Sequence, residues 1–256
     1  MMGFRKSYGA QWIPQELQCS FLIDGDAAWV STGSQRDCIM SPRESPLAVT
    51  GEGAPMSAFT ARLRKTPVIA GAKDVEKVAT ALEAGIGIIF FLTGTIFDLA
   101  RAAALVRQTP SMLFAHVDLL QGVGKDPAGI RWLGQELGIH GIVSTRSNLI
   151  KAAQDEGLYA IQRLFILDSE ALRTGLKVVT STGPDAVELL PALVVPSIQH
   201  RLPFASLPPV IAGGLVETEA EVRSILKTPA VSVSTSRAEL WHIFGQSRKT
   251  GAGTEI

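Results

Sequence analysis

Two short stretches of the sequence end apolar runs with residues that are suited to bind an anion. Gly213 and Gly214 follow "PVIA", and Ser234, Thr235 and Ser236 follow "AVSV". Glycine lets backbone N–H groups approach an anion closely, and hydroxyl groups add further donors. A helical pattern follows each stretch, and a helix N-terminus carries partial positive charge. These residues predict a phosphate site; the alternative is that the glycines only turn the chain and the hydroxyl groups only cap a helix.

His116 and Asp118 form a second group that could carry chemistry. They are two residues apart in an apolar run, so on a strand they face the same side. There they could transfer protons, ligate a metal or hydrogen-bond a polyol, or they could be a buried histidine beside a carboxylate. No third ligand accompanies them, and the chain has no P-loop or dinucleotide fingerprint. Neither a metal nor a cofactor is therefore predicted.

The elements that must position these residues repeat along the chain from Pro67 onward. Short apolar runs alternate with amphipathic helical patterns eight times in about 190 residues, which is typical of parallel strands with helical crossovers. The predicted strands are 68–72, 87–92, 112–119, 141–145, 160–166, 186–193, 210–215 and 230–235. The pattern predicts a closed (β/α)8 barrel of the TIM type, with an open doubly wound sheet as the competing fold.

Capping residues mark the ends of several predicted helices. The predicted barrel also places the candidate binding residues at one of its two ends. Asp74 is a predicted N-cap, Gly85 a predicted C-terminal stop and Pro127 a predicted helix start. The stretch "VVPSIQHRLPFASLP" is the poorest helix because of its prolines. In a barrel, binding residues collect at the carboxyl ends of the strands, which is where both polar groups fall.

The two ends of the chain have a different composition from the barrel region. Residues 1–57 are rich in Gly, Ser, Pro and mixed charge, which predicts a disordered or mis-assigned extension. We place the barrel at 58–247 and a flexible tail at 248–256. Both cysteines, Cys19 and Cys38, lie in the extension, so the barrel has no cysteine for a disulfide or a metal site. With no apolar run long enough for a membrane span and no signal peptide, we expect a cytoplasmic protein without a membrane partner.

Five stretches together resemble one known family. They are "FAHVDLLQGVGKDPAGIRWL", "GIVSTRSNLIKAAQDEGLYAIQRLFILDSEAL", "PDAVELLPAL", "PVIAGGLV" and "AVSVSTSRAELW". In this order they are similar to the glycerol-3-phosphate-responsive antiterminators, and the resemblance runs from about Pro67 to about Phe244. It implies a TIM-type barrel that takes glycerol-3-phosphate as effector and acts on leader mRNA of glycerol-utilisation genes.

The resemblance and the strand positions together assign the candidate pocket. Gly213, Gly214, Ser234, Thr235 and Ser236 are expected to hold the ligand phosphate. The rest of the pocket is expected to be lined by His116, Asp118, Arg146, Gln162, Arg163 and Glu188. An interior arginine such as Arg146 or Arg163 could instead pair with Glu188 or Asp168, which is the commoner outcome.

RNA as a partner is implied by the resemblance alone. The chain has no net charge, and residues 56–256 carry 20 lysines and arginines against 18 aspartates and glutamates. That balance is a poor electrostatic footprint for a phosphate backbone. A homo-oligomer stays open. The alternative function is a phosphate-ester or sugar-phosphate enzyme on the same barrel, with His116 as acid/base and Asp118 as its partner.

Overall fold

A computed structural model of the chain describes residues 57–246. Apart from Ser57, the predicted extension at 1–57 and the predicted tail at 248–256 lie outside these residues. Eight parallel strands close into a barrel because the first strand, Val68–Ala72, pairs with both the second, Ile88–Phe91, and the last, Ser232–Thr235, which excludes the open sheet and confirms the predicted (β/α)8 fold. The strands are Val68–Ala72 (β1), Ile88–Phe91 (β2), Met112–His116 (β3), Gly141–Ser144 (β4), Tyr159–Phe165 (β5), Ala186–Leu190 (β6), Val210–Gly213 (β7) and Ser232–Thr235 (β8).

Helices surround the barrel, and local sequence signals set their ends. They are Ala58–Arg64 (α1), Val75–Glu83 (α2), Ile96–Val106 (α3), Pro127–Gln135 (α4), Ser147–Asp155 (α5), Ser169–Thr182 (α6), Val195–Ile198 (α7), Glu219–Leu226 (α8) and Ala238–Gln246 (α9). The predicted N-cap Asp74 accepts a hydrogen bond from the Lys77 N–H at 2.7 Å. Pro127 occupies the first position of α4, where its missing N–H costs nothing.

Side chains alternate along each strand between the barrel interior and the helix layer. On β1, for example, Ile69 packs inside the barrel, while Val68 and Ala70 pack against the helices. The inner cluster is formed by Phe90, Phe114 and their apolar neighbours: Ile69, Ile88, Phe90, Met112, Phe114, Val143, Ile161, Ala186 and Ile211. Ser232 shares this layer beside Ile211, and its buried hydroxyl donates to the Thr66 carbonyl at 2.6 Å. The charged residues Arg163 and Glu188 lie above the layer, towards the carboxyl ends of the strands.

The first helix, α1, was not predicted from the sequence. It precedes β1 and buries Phe59 and Leu63 completely against the inner cluster, and the Phe59 ring packs on Phe114 with centroids 5.2 Å apart. A helix of seven residues is too short for a clear apolar period, and it is stabilised by packing on the barrel and by Ser57, whose hydroxyl accepts from the Thr60 N–H at 3.1 Å. It covers the end of the barrel opposite the candidate site.

The connection from β6 to β7 contains little regular helix, as its prolines predict. A short 3-10 turn (Ala192–Val194), α7 and a second 3-10 turn (Gln199–Arg201) replace a long helix. Outside the barrel, Gly94–Thr95 and Leu120–Gln121 pair as a small parallel ribbon. None of the helices within residues 57–246 is long and apolar enough to cross a membrane.

Candidate ligand site at the barrel mouth

A cavity of about 280 Å³ opens at the carboxyl ends of the strands, on the side formed by β5 to β8 with β1 and β2. Its volume falls just below the usual range for drug-sized ligands, so it suits a small molecule. It is lined by Gly71, Phe90, Leu92, Arg163, Glu188, Leu190, Gly214, Leu215, Val216, Glu217, Ser234, Thr235, Ser236 and Arg237. Apolar side chains therefore line the cavity together with a polar wall of hydroxyl, carboxylate and guanidinium groups.

The polar wall is built on a buried carboxylate, that of Glu188. Its Oε2 accepts from Nε of Arg163 at 2.6 Å, and its Oε1 accepts from the Ser234 hydroxyl at 2.6 Å. The side chain of Glu188 is 1 % exposed and that of Arg163 is 10 % exposed. Of the three guanidinium nitrogens of Arg163, only Nε makes a hydrogen bond within residues 57–246. The two terminal nitrogens are therefore free to bind an anion.

Gly213 and Gly214 have separate structural reasons to be glycine. A Cβ on Gly213 would lie 2.6 Å from Oε1 of Glu188 and closer still to the Ser234 hydroxyl. Gly213 therefore makes room for the Glu188–Ser234 hydrogen bond. Gly214 turns the chain with φ +81°, and Leu215 continues the turn with φ +62°, a conformation that costs a leucine free energy. Both predicted glycines thus shape the candidate site. Gly213 allows Glu188 and Ser234 to lie close to the backbone of β7, and Gly214 allows the chain to turn.

At the entrance of the cavity, Thr235 is already used by the fold. Its hydroxyl donates to the Val216 carbonyl at 2.9 Å and accepts from the Arg237 N–H at 3.2 Å, so it ties the end of β8 to the loop after β7. Arg237 also forms an exposed ion pair with Glu217, which raises the pKa of Arg237. Ser236 is exposed, and within the described part of the chain its hydroxyl has no hydrogen-bond partner. Of the three predicted hydroxyl residues, Ser236 is the one left free for a ligand.

Asp118 and Arg146 lie outside the cavity, at the ends of β3 and β4. The Asp118 carboxylate accepts from the Thr145 N–H at 2.8 Å and from the Ser144 hydroxyl at 3.1 Å, and Arg146 pairs with it at 3.3 Å. These contacts join the loop after β3 to the end of β4. The structure therefore assigns Asp118 and Arg146 to a structural cluster, whereas the sequence placed them in the pocket.

Gln162 also departs from its predicted place. Adjacent residues of a strand point to opposite faces, and Ile161 and Arg163 occupy the inward positions of β5. The buried amide of Gln162 instead donates to the Thr145 carbonyl at 3.0 Å and to the Ser144 carbonyl at 3.3 Å. Gln162 therefore fastens β5 to the end of β4 and does not line the cavity.

His116 lies inside the barrel mouth but is not among the cavity-lining residues. It occupies the inward position after Phe114 and is 4 % exposed, and neither ring nitrogen has a hydrogen-bond partner within residues 57–246. Burial, with a smaller contribution from the nearby Arg163 charge, lowers its pKa to about 4, so the ring is neutral at pH 7. No hydrogen bond joins it to Asp118, and the acid/base pair of the alternative enzyme is not assembled.

Several cavity residues were not predicted from the sequence. Gly71 was identified only as part of strand 1, although its place two residues after the inward Ile69 indicates a gap in the barrel lining. Arg237 directly follows the predicted hydroxyl residues, and Glu217 lies in the loop between β7 and α8. Among the described residues, no group of three or more histidine, cysteine or acidic side chains could hold a metal ion.

The closed barrel defines a (β/α)8 protein, and its small cavity lies at the face where such barrels frequently bind phosphate. The sequence model described as glycerol-3-phosphate responsive antiterminator matches residues 68–241, which covers all eight strands. The chain therefore belongs to the glycerol-3-phosphate responsive antiterminator family.

The chain is similar to three individual proteins, two of which are named as antiterminator proteins. The uncharacterized protein YgcP of Escherichia coli K12 is 33 % identical over 179 residues, which is 70 % of this chain and 93 % of the relative. The glycerol uptake operon antiterminator regulatory protein of Listeria monocytogenes is 32 % identical, covers 68 % of this chain and 94 % of its own, and superposes with a TM-score of 0.63. A glycerol uptake operon antiterminator-related protein of Thermotoga maritima is 30 % identical with a TM-score of 0.61, covering 69 % and 98 % of the two chains.

Proposed function

We propose that this protein is a glycerol-3-phosphate sensor that controls transcription antitermination at a leader mRNA of glycerol-utilisation genes. The observation that carries the ligand half is the cavity itself, where free guanidinium nitrogens of Arg163 and the Ser236 hydroxyl face a space sized for a small phosphorylated ligand. The RNA half and the cytoplasmic location rest on membership of the family.

The phosphate is placed at the side of the cavity formed by β7 and β8. Arg163 supplies charge-assisted donors from inside the barrel, Ser236 supplies a hydroxyl, and Arg237 stands at the entrance. The peptide groups of the loop after β7 and the N-terminal end of α9 lie at the same edge. Gly213, Ser234 and Thr235 support this site from behind through packing and internal hydrogen bonds.

Regulation needs only that ligand binding favours one state of the protein over another. If that state also binds RNA better, ligand and RNA strengthen each other's binding by the same factor. The protein then needs no catalytic group. This agrees with an Asp118 carboxylate that is fully engaged in the fold and with a His116 ring that it does not orient.

The test is calorimetric titration of the full chain with glycerol-3-phosphate, with glycerol and inorganic phosphate as controls. We expect micromolar binding of glycerol-3-phosphate and binding at least tenfold weaker for either control, because each control meets only part of the site. Ser236→Asp, which puts a negative charge in the cavity, should weaken binding more than tenfold. Ser181→Asp on the exposed face of α6 is the matched control and should leave it unchanged.

A second titration tests the RNA half. The leader RNA of a glycerol-utilisation gene is titrated with the protein at fixed salt, with and without glycerol-3-phosphate. The sensor requires tighter RNA binding in the presence of ligand and no ligand turnover on incubation. RNA binding that does not change with ligand would refute the coupling, and consumption of the ligand would favour the enzyme.

A further inference from the structure

The buried carboxylate of Glu188 keeps unused acceptor capacity beside the cavity. An ionised carboxylate offers about four lone-pair sites. Within residues 57–246 only two donors occupy them, the Ser234 hydroxyl and Nε of Arg163. The group is almost completely shielded from solvent, since the Glu188 side chain is 1 % exposed. Any remaining hydrogen bond must therefore come from water in the cavity or from a bound ligand.

The carboxylate can lie in this position because β7 carries a glycine at the facing position. A Cβ on Gly213 would lie 2.6 Å from Oε1 of Glu188. Across the barrel mouth, β1 also presents a glycine, Gly71, to the cavity. Glu188 and Gly71 line the same cavity, and the missing side chain at Gly71 leaves room there, so ligand atoms can reach the Glu188 carboxylate.

Charge decides which part of the ligand meets Glu188. A phosphate placed against a buried carboxylate is repelled, and the repulsion is strong where water is excluded. The phosphate therefore lies towards the terminal nitrogens of Arg163 and towards Ser236. The uncharged end of the ligand is then left facing Glu188, and only a group that donates a hydrogen bond satisfies an acceptor-only carboxylate.

We propose that Glu188 is the specificity-determining residue of the site, and that its carboxylate accepts a hydrogen bond from a ligand hydroxyl group. The site would thus select a phosphorylated alcohol over the corresponding ketone, whose carbonyl oxygen cannot donate. This inference rests on the proposed function, because it presumes that glycerol-3-phosphate binds in the cavity. The other lining carboxylate, Glu217, is 62 % exposed and paired with Arg237, so water competes for it and it discriminates little.

The experiment compares glycerol-3-phosphate with dihydroxyacetone phosphate in calorimetric titrations of the full chain. The two compounds share the phosphate and the three-carbon chain, but the ketone lacks the central hydroxyl donor. Sites that hydrogen-bond a ligand hydroxyl reject analogues without it strongly, so we expect the ketone to bind on the order of 100-fold more weakly. In E188Q, whose amide can donate to a carbonyl, the ratio should fall below about fivefold.

Two further variants separate specificity from folding. E217Q changes the exposed carboxylate at the entrance and should leave the ratio unchanged. E188D keeps the charge beside Arg163 but withdraws the carboxylate by one methylene. It should weaken glycerol-3-phosphate binding about tenfold with little effect on the ketone, and it replaces E188Q if that variant does not fold. Circular dichroism and thermal unfolding establish that each variant is native.

Each outcome bears on a different claim. Equal binding of alcohol and ketone to the wild-type chain overturns the role of Glu188 and leaves the sensor intact. Undiminished discrimination in folded E188Q or E188D does the same. Binding of neither compound overturns the proposed function and this inference with it.

Discussion

Nε of Arg163 donates to Oε2 of Glu188 at 2.6 Å inside the mouth of the barrel, where both side chains are largely buried. A buried ion pair contributes little net stability, because the loss of hydration offsets the attraction. Removing one partner is nevertheless costly, since the other charge then stays buried without compensation. The pair therefore fixes the shape of the candidate ligand site more than it stabilises the fold.

Arg163→Met is expected to lower the free energy of unfolding by about 3 kcal/mol or more, because it leaves the Glu188 carboxylate unpaired. The double variant Arg163→Met with Glu188→Gln should recover much of that loss, since no buried charge remains. Urea unfolding of the two variants and the wild type measures the difference. A loss below about 1 kcal/mol in the single variant would show that water replaces the arginine.

Gly213→Ala tests the close approach between β7 and the Glu188–Ser234 hydrogen bond. The added methyl group overlaps both partners, so we expect a loss of about 2 kcal/mol of stability and at least tenfold weaker ligand binding. Gly157→Ala is the control, because Gly157 has φ +74° and open space around it. That variant should cost about 1 kcal/mol through backbone strain alone and leave ligand binding unchanged. Normal ligand affinity in folded Gly213→Ala would contradict the placement of the site.

Asp118→Ala separates the structural cluster at β3 and β4 from the ligand site. The substitution leaves the Thr145 N–H and the Ser144 hydroxyl without their acceptor, so stability should fall by about 2 kcal/mol. Ligand affinity should stay within about threefold of wild type, as measured by calorimetry. Asp118→Asn retains one acceptor oxygen and should lose less stability. Loss of ligand binding in a folded Asp118→Ala protein would return this residue to the pocket.

The stability of the protein should fall in mild acid because of His116. Its pKa is about 4 in the folded state and about 6.5 when unfolded, so between these values the unfolded chain binds a proton that the folded protein does not. Stability is therefore unaffected above about pH 7 and decreases as the pH falls from 6.5 to 4, by on the order of 3 kcal/mol. Burial also lowers the pKa of His140, which acts in the same direction.

His116→Asn isolates this contribution, since it cannot titrate in that range and His140 is present in both proteins. Urea unfolding at pH 7 and pH 4.5 should show a smaller loss for the variant than for the wild type. Equal losses would mean that the folded protein accommodates a protonated His116.

Much of the fold could be predicted from the sequence because its causes are local. Alternating apolar runs and amphipathic stretches give all eight strands of the barrel within a few residues, and Asp74 and Pro127 mark helix starts through their own chemistry. Helix α1 escaped prediction because Phe59 and Leu63 become informative only when the barrel provides a surface for them.

The candidate site was predicted only in part, for the same physical reason. The order of residues along the chain places polar groups at the carboxyl ends of strands, and four of the predicted residues, Arg163, Glu188, Gly214 and Ser236, line the cavity. The order of residues does not decide which of these polar groups form hydrogen bonds with neighbouring residues. Asp118 is engaged by β4, and Gln162 points outward because Arg163 next to it points inward.

The sequence by itself thus determined the barrel and its family, and it predicted a ligand site at the carboxyl ends of the strands. The tertiary structure decided which side chains remain free to bind a ligand. Hydrogen bonds between strands that are far apart in the chain occupy some donors and acceptors and leave others unpaired. Ser234 and Thr235 are adjacent and chemically alike, yet one supports Glu188 inside the barrel and the other ties the loop after β7 on the outside. Their opposite roles follow from the alternation of a strand whose two faces only the closed barrel defines.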